Sequence, residues 1–383
     1  LAARCEYQLL RILDEKLGRA PKAEFPEDEM LRRAAALGDE HERQVLQDLR
    51  STYPDVAEIP AVPLPFTRAG LQAAHDHTLQ VLAQGSDVVF QATFFDGTFH
   101  GRSDFLVRTD GGAYAVWDSK LARRAKTEAL LQLAAYADQL HAAGVPVAPQ
   151  ATLVLGDRTH ASFDLAELLP VYTERRDRVL ALTTAHRAQP GPVDWHQEHL
   201  LICGRCDYCA EQVALHDDVL GVHRVSVPRR RKLHAQGIRT VTDLATTEAE
   251  PGTVAHRLRD QARMQAGLIE PDGQVQVSDD DAPGGVRTLA YRVLPEHTLG
   301  TLPEPSEGDV FFDFEGDPLW QDDQGVWGLE YLFGVLEAPV DGAEPVFRTF
   351  LAHTRAEEGQ AMLEFLDYVA RRRAAYPDMH IYH

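Results

Sequence analysis

The chain of 383 residues is short of cysteine, of basic charge and of long apolar runs. Its four cysteines are Cys5 and, far downstream, the cluster Cys203, Cys206 and Cys209. Lys and Arg number 38 against 59 Asp and Glu, a net charge of −21, so the surface as a whole lacks the basic footprint of a protein that coats phosphates. A site needs only local complementarity, and the charge predicts weak nonspecific affinity for polyanions that falls steeply with salt. No apolar run approaches a membrane span and Leu1-Ala-Ala-Arg-Cys5 is not a signal peptide, which excludes a membrane-embedded class and sets the expected location in the cytoplasm. There is no initiator Met, and Ile381-Tyr-His383 reads as an interrupted strand, so a fragment of a longer chain is expected. A hydrophobic fraction of 44% and a charged fraction of 25% are those of a soluble globular protein, and the length suggests two or three domains.

What is present is a stretch from Gly101 to Tyr136 around which the rest is organised. Phe99-His-Gly101-Arg-Ser-Asp104-Phe-Leu-Val-Arg108 alternates as a strand, Asp110-Gly111-Gly112 is a turn, and Ala113-Tyr-Ala-Val-Trp-Asp118-Ser-Lys120-Leu121 is a second strand. The two make a hairpin. Asp118 and Lys120, two apart, project from one face, and in-register pairing brings Asp104 to that face. Two carboxylates can hold a hard divalent cation, and an ammonium beside them can orient or activate a water next to a phosphate. Thr127 to Leu140 has amphipathic spacing, with Gln132 and Tyr136 one turn apart on one side.

Gly-x-x-Asp104, Asp118-x-Lys120 and Gln132-x-x-x-Tyr136, preceded by Gly38-Asp-Glu-His41 on a helix, resemble in order and spacing the motifs of the RecB-type PD-(D/E)XK nuclease family. The resemblance covers residues 1–215. It implies an α/β restriction-endonuclease-like core with flanking helices, in which Asp104, Asp118 and His41 hold Mg²⁺ or Mn²⁺. It further implies that Lys120 positions or activates the attacking water, while Gln132 and Tyr136 orient the substrate strand or Lys120.

Two readings of the cysteines stand side by side. Three clustered thiolates with one distant thiolate can ligate a [4Fe–4S] cluster, and four thiolates can equally hold a structural Zn²⁺. The one-plus-three arrangement bracketing the nuclease core is similar to the iron–sulfur branch of the RecB family, which implies the cluster. Several members of that branch place the last cysteine further from the second than it stands here. Either centre would tie the first helix to the end of the domain.

Residues 216–268 read as a small helical segment. Val227 to Ala245 is a helix, a turn at Gly237 and a second helix capped by Thr240 or Thr242, resembling a helix-hairpin-helix. Its Arg229, Arg230, Arg231 and Lys232 are candidate DNA contacts. Residues 269–286 read as a linker. Residues 287–383 contain Gly308-Asp-Val-Phe-Phe-Asp313-Phe-Glu315-Gly-Asp317, a strand with Asp313 and Glu315 on one face, then two strands and a helix. Asp-x-Glu on a first strand resembles the opening motif of ribonuclease-H-like, DEDD-type exonucleases, and implies the first part of a partial ribonuclease-H-like α/β domain with a second metal site. Resemblance to multidomain bacterial proteins of this order implies a helicase module in the same full-length chain.

The expectation is therefore a metal-dependent DNA nuclease in repair or end processing, with single strands or ends favoured. Two alternatives accompany it: a DNA-binding or scaffolding module with a vestigial site, and a zinc-stabilised interaction protein.

Overall fold

The computed structural model describes residues 4–25, 28–279, 282, 284–293, 302–339 and 342–383. They form two compact units. One, here the helical unit, joins Leu1–Glu27 to Thr173–Thr298; the other, the sheet unit, joins Asp28–Tyr172 to Leu299–His383.

The sheet unit begins with α2 (Glu29–Thr52), β1 (Val56–Glu58) and α3 (Arg68–Gln84), which follow α1 (Glu6–Lys16) of the other unit. The strands β2 (Val88–Phe95), β3 (His100–Arg108) and β4 (Tyr114–Lys120) then run antiparallel through short turns. A tight turn joins only antiparallel strands, so the parallel partner of β4 has to be reached by a crossover. That crossover is α4 (Thr127–Ala142), leading to β5 (Gln150–Leu155) and the antiparallel edge β6 (His160–Asp164). The sheet order is β1-β2-β3-β4-β5-β6.

Helices cover both faces, which is why β2 and β5 read as nearly continuous apolar runs. Leu106, Val116 and Leu153 pack on Leu133, Ala137 and Leu140 of α4. Phe90, Phe105, Val107 and Val154 pack on Val45, Leu46 and Leu49 of α2. The end of β5 approaches the chain after β4 so closely that a Cβ on Gly156 would lie 2.1 Å from the Leu121 carbonyl oxygen. Gly156→Ala is expected to cost about 3 kcal/mol through this backbone clash, read as a lowered urea midpoint; an unchanged midpoint would show that the approach is looser.

A second sheet in the same unit is built from β9 (Val310–Gln321), β10 (Trp327–Glu337), β11 (Val346–Leu351) and β12 (Ile381–Tyr382), in the order β11-β10-β9-β12 with only β12 parallel to its neighbour. The helix α10 (Arg355–Ala375) covers one face, with Phe365 stacked on Phe312 at 4.4 Å. Trp327 Nε1 donates to the Gly156 carbonyl at 2.7 Å, and Arg33 of α2 pairs with Asp317 at 2.6 Å.

The helical unit contains α1, the C-terminal part of α5 (Leu165–Ala188), α6 (Asp207–Leu215), α7 (Val227–Ala235), α8 (Val241–Ala245) and α9 (Val254–Gln265). Thr240 caps α8 in a capping box with Asp243, so Thr240 and not Thr242 is the cap. The stretch read as a linker, 269–286, instead carries β7 (Gly273–Ser278), paired antiparallel with β8 (Val286–Tyr291). Its Gln274-Val-Gln-Val277 alternation is short and mostly exposed, and becomes a strand because β8 supplies the ladder partner.

Candidate functional site

The hairpin delivers its carboxylates as the strand alternation requires. Phe105 lies opposite Trp117, and continuing that register sets Asp104 against Asp118. The backbone ladder ends at the Phe105 pair, and the Asp104 side chain takes over, its Oδ2 accepting from Ser119 N at 2.8 Å and from Ser119 Oγ at 2.9 Å. Asp118 is fully buried. Lys120 Nζ stands 2.5 Å from its Oδ2 as an ion pair, and the buried Oδ1 has no hydrogen-bond partner. Burial first, and then the charge of Asp104, push the Asp118 carboxyl up to about 7, against the pull of Lys120.

On α4, the Tyr136 hydroxyl donates to the Arg102 carbonyl at 2.5 Å and accepts from Gln132 Nε2 at 3.4 Å. Burial pushes that phenol up to about 12, so it stays a donor. A Cβ on Gly101 would come within 2.9 Å of the Tyr136 ring and 2.8 Å of Phe99. The glycine of Gly-x-x-Asp104 is thus explained by the close approach of α4 to β3.

His41 comes from α2 and is buried, with Nε2 3.2 Å from the Val154 carbonyl oxygen. The residue beside it, Glu42, was not singled out by sequence reasoning. Its carboxylate accepts from the Gln91 amide, and burial together with the charge of Asp104 pushes it up to about 7. Gln91 falls opposite Asp104 in the β2–β3 register and holds a left-handed φ of 56°. In the sequence, Asp39, Glu40 and Glu42 around His41 look like one solvated helix face, and nothing distinguishes the half-buried Glu42 from its acidic neighbours.

The structure therefore brings Asp104, Asp118 and Lys120 together, with Gln132 and Tyr136 alongside. Among the described residues, the one group of three or more His, Cys, Asp or Glu side chains set close enough to hold a metal ion is the four cysteines, whose ligand atoms lie within 4.8 Å of one another. Asp313 and Glu315 share the exposed face of β9, opposite the one stacked on α10.

The cysteines belong to the helical unit. Cys5 caps α1, Cys206 caps α6 and Cys209 lies in its first turn. No disulfide joins them. Sγ separations are 3.6 Å for Cys5 and Cys209, 3.9 Å for Cys203 and Cys209, and 4.0 Å for Cys5 and Cys206. Backbone N–H groups of Gln8, Arg205 and Cys206 point at the sulfurs. The Cys209 thiol beside it pulls Cys5 down toward the thiolate, while burial pushes Cys206 up and the Cys5 sulfur pushes Cys209 up. The four cysteines can hold a metal centre.

The basic cluster on α7 divides. Arg231 and Lys232 are exposed and Arg229 is half-buried, donating to the Arg224 carbonyl. Arg230 is buried: it grips Asp218 through Nε and Nη2 and lies over the Trp195 ring, so it is unavailable to a phosphate. The helical period turns one residue of any four-residue run inward, which composition alone does not reveal. Arg230→Ala is expected to destabilise the helical unit by about 3–5 kcal/mol by leaving Asp218 buried and unpaired, and Arg231→Ala by less than about 0.5 kcal/mol. Chemical denaturation of both variants checks this, and equal effects would overturn it.

No family model, no curated protein and no solved structure matches the chain. Among the described residues, no helix is long and apolar enough to cross a membrane.

Proposed function

We propose that the chain is a metal-dependent nuclease that hydrolyses DNA phosphodiesters at the β3–β4 hairpin, on a RecB-type PD-(D/E)XK core. The observation that carries this reading is the Asp118 carboxylate, fully buried between Asp104 and Lys120, with its Oδ1 lacking a hydrogen-bond partner. A buried polar atom is ordinarily satisfied, and a carboxylate oxygen lacking a donor is what a cation would complete. The element order supports the same reading: helix, three antiparallel strands, crossover helix, parallel strand.

Asp104 and Asp118 would hold Mg²⁺ or Mn²⁺, with His41 and Glu42 the further donors at hand on α2. The ion, when bound, supplies polarisation of the scissile phosphate and stabilisation of its developing charge. Lys120, with a side chain 34% exposed, spans from the buried carboxylate to solvent and is placed to orient the attacking water. Tyr136 and Gln132 fix the β3 backbone beside Asp104. The four-cysteine centre is structural in this reading. The strand order β11-β10-β9-β12, with Asp313 and Glu315 on β9, supports a ribonuclease-H-like reading of the last module.

The test is cleavage of end-labelled single- and double-stranded DNA with Mn²⁺, Mg²⁺ or EDTA, beside Lys120→Ala. Metal-dependent cutting, reduced about a thousandfold in the variant, is expected. A folded wild-type protein that binds DNA without cutting it would replace the nuclease with a binding module.

A further inference from the structure

The resemblance to the iron–sulfur branch implies a cube of four irons at the cysteines, and the sulfur positions do not suit one. We infer that Cys5, Cys203, Cys206 and Cys209 bind a single tetrahedrally coordinated ion, Zn²⁺, rather than a [4Fe–4S] cluster. The argument is metric. Four thiolates each about 2.3 Å from one ion form a tetrahedron whose edges are about 3.8 Å. In a cube the thiolates bind four separate irons and radiate outward, which spreads their sulfurs to about 6 Å apart. The observed separations of 3.6, 3.9 and 4.0 Å fall on the first value, and all four sulfurs lie within 4.8 Å of one another.

Opening the group by some 2 Å on every edge is resisted by what holds it. Cys5 and Cys209 are fully buried in a core with Tyr7, Leu10, Trp195 and Tyr208. The α1 end that carries Cys5 is fastened at three points. Glu6 N donates to the Leu201 carbonyl at 2.7 Å, and the Glu6 carboxylate accepts from Leu201 N at 2.8 Å and from Arg178 at 2.5 and 2.8 Å. Moving Cys5 outward would break bonds to a carboxylate that is itself buried.

The local turn points the same way. Cys203-Gly204-Arg205-Cys206 folds so that the N–H groups of Arg205 and Cys206 approach Cys203 Sγ at 3.4 and 3.2 Å. Gly204 makes this possible with φ of 68°, and a Cβ there would come within 2.9 Å of Leu220. Such N–H groups offset the net negative charge of four thiolates around one dication. Cys206 and Cys209 then follow at the start of α6, one helical turn apart, which keeps their sulfurs adjacent.

This inference concerns a centre apart from the hairpin and stands whether or not the chain is a nuclease. The experiment is metal and acid-labile sulfide analysis of the full chain, expressed with added iron and a sulfur source and purified anaerobically. One zinc per chain, no labile sulfide and no visible absorption are expected. Replacement by Co²⁺ should then give the ligand-field bands of a tetrahedral tetrathiolate, lost in Cys203→Ala. About four irons and four sulfides per chain would overturn the inference, as would one iron without sulfide, or a metal-free chain with four titratable thiols.

Discussion

Asp118→Asn is expected to abolish phosphodiester cleavage while raising the thermal stability of the metal-free protein. Most substitutions at a fully buried position destabilise. Here the wild-type carboxylate is the unfavourable species, because burial and the charge of Asp104 outweigh the pull of the Lys120 ion pair. An amide keeps the shape, removes the charge and can donate to Asp104. The pH dependence carries a definite sign. An acid raised from its ordinary value of 3.8 to about 7 is held protonated more firmly by the folded state than by the unfolded chain. The contribution of Asp118 to metal-free stability is therefore greatest below about pH 4, declines as pH rises toward 7 and levels off above, a loss on the order of a few kcal/mol. Thermal melts in EDTA from pH 5 to 8 should show that decline in the wild type and a flatter profile in the variant. Mn²⁺ at pH 8 should raise the wild-type melting temperature and leave the variant unmoved. Identical pH profiles would mean that Asp118 carries no such strained charge.

Stripping the metal from the four-cysteine centre is expected to unfold the core of the helical unit around α1 and α6. Binding free energies of structural zinc sites reach about 10 kcal/mol or more, comparable to the whole stability of a domain. The core beside the site is small, and two of its fully buried members are the ligands Cys5 and Cys209. Without an ion, four sulfurs within 4.8 Å become mutually repelling thiolates or unpaired buried thiols. Hydrogen exchange after chelation should therefore show lost protection in α1, the segment from Val193 to Ile202, and α6. Protection in β2 to β5 should persist, since no ligand lies in that sheet. Retained protection in α1 and α6 would show that packing alone holds the unit.

Local features were legible where short-range physics decides them. The Asp110-Gly111-Gly112 turn and the alternation on either side define the hairpin, and hence that Asp104, Asp118 and Lys120 share a face. The spacing of Gln132 and Tyr136 defines one side of α4, and Gly237 marks the break between α7 and α8. Other features were not legible, because identical residue types meet different partners. Arg230 and Arg231 are neighbours in one basic run, yet only Arg230 finds Asp218 and Trp195 beneath it. Glu42 looks like Glu40 until Gln91, in its left-handed conformation, is seen to reach it. Gln274 to Val277 gains a ladder only through β8.

By itself the sequence determined the hairpin, its shared face of carboxylates and ammonium, and the supply of four thiols in a one-plus-three pattern, because period and turn chemistry act over a few residues. Only the tertiary structure decided that Asp118 is fully buried with its Oδ1 unpartnered, that Glu42 is brought to Gln91, and that the four thiols lie within 4.8 Å of one another. Burial, long-range register and sulfur spacing are set by segments far apart in the chain, and no local pattern encodes the distance between them.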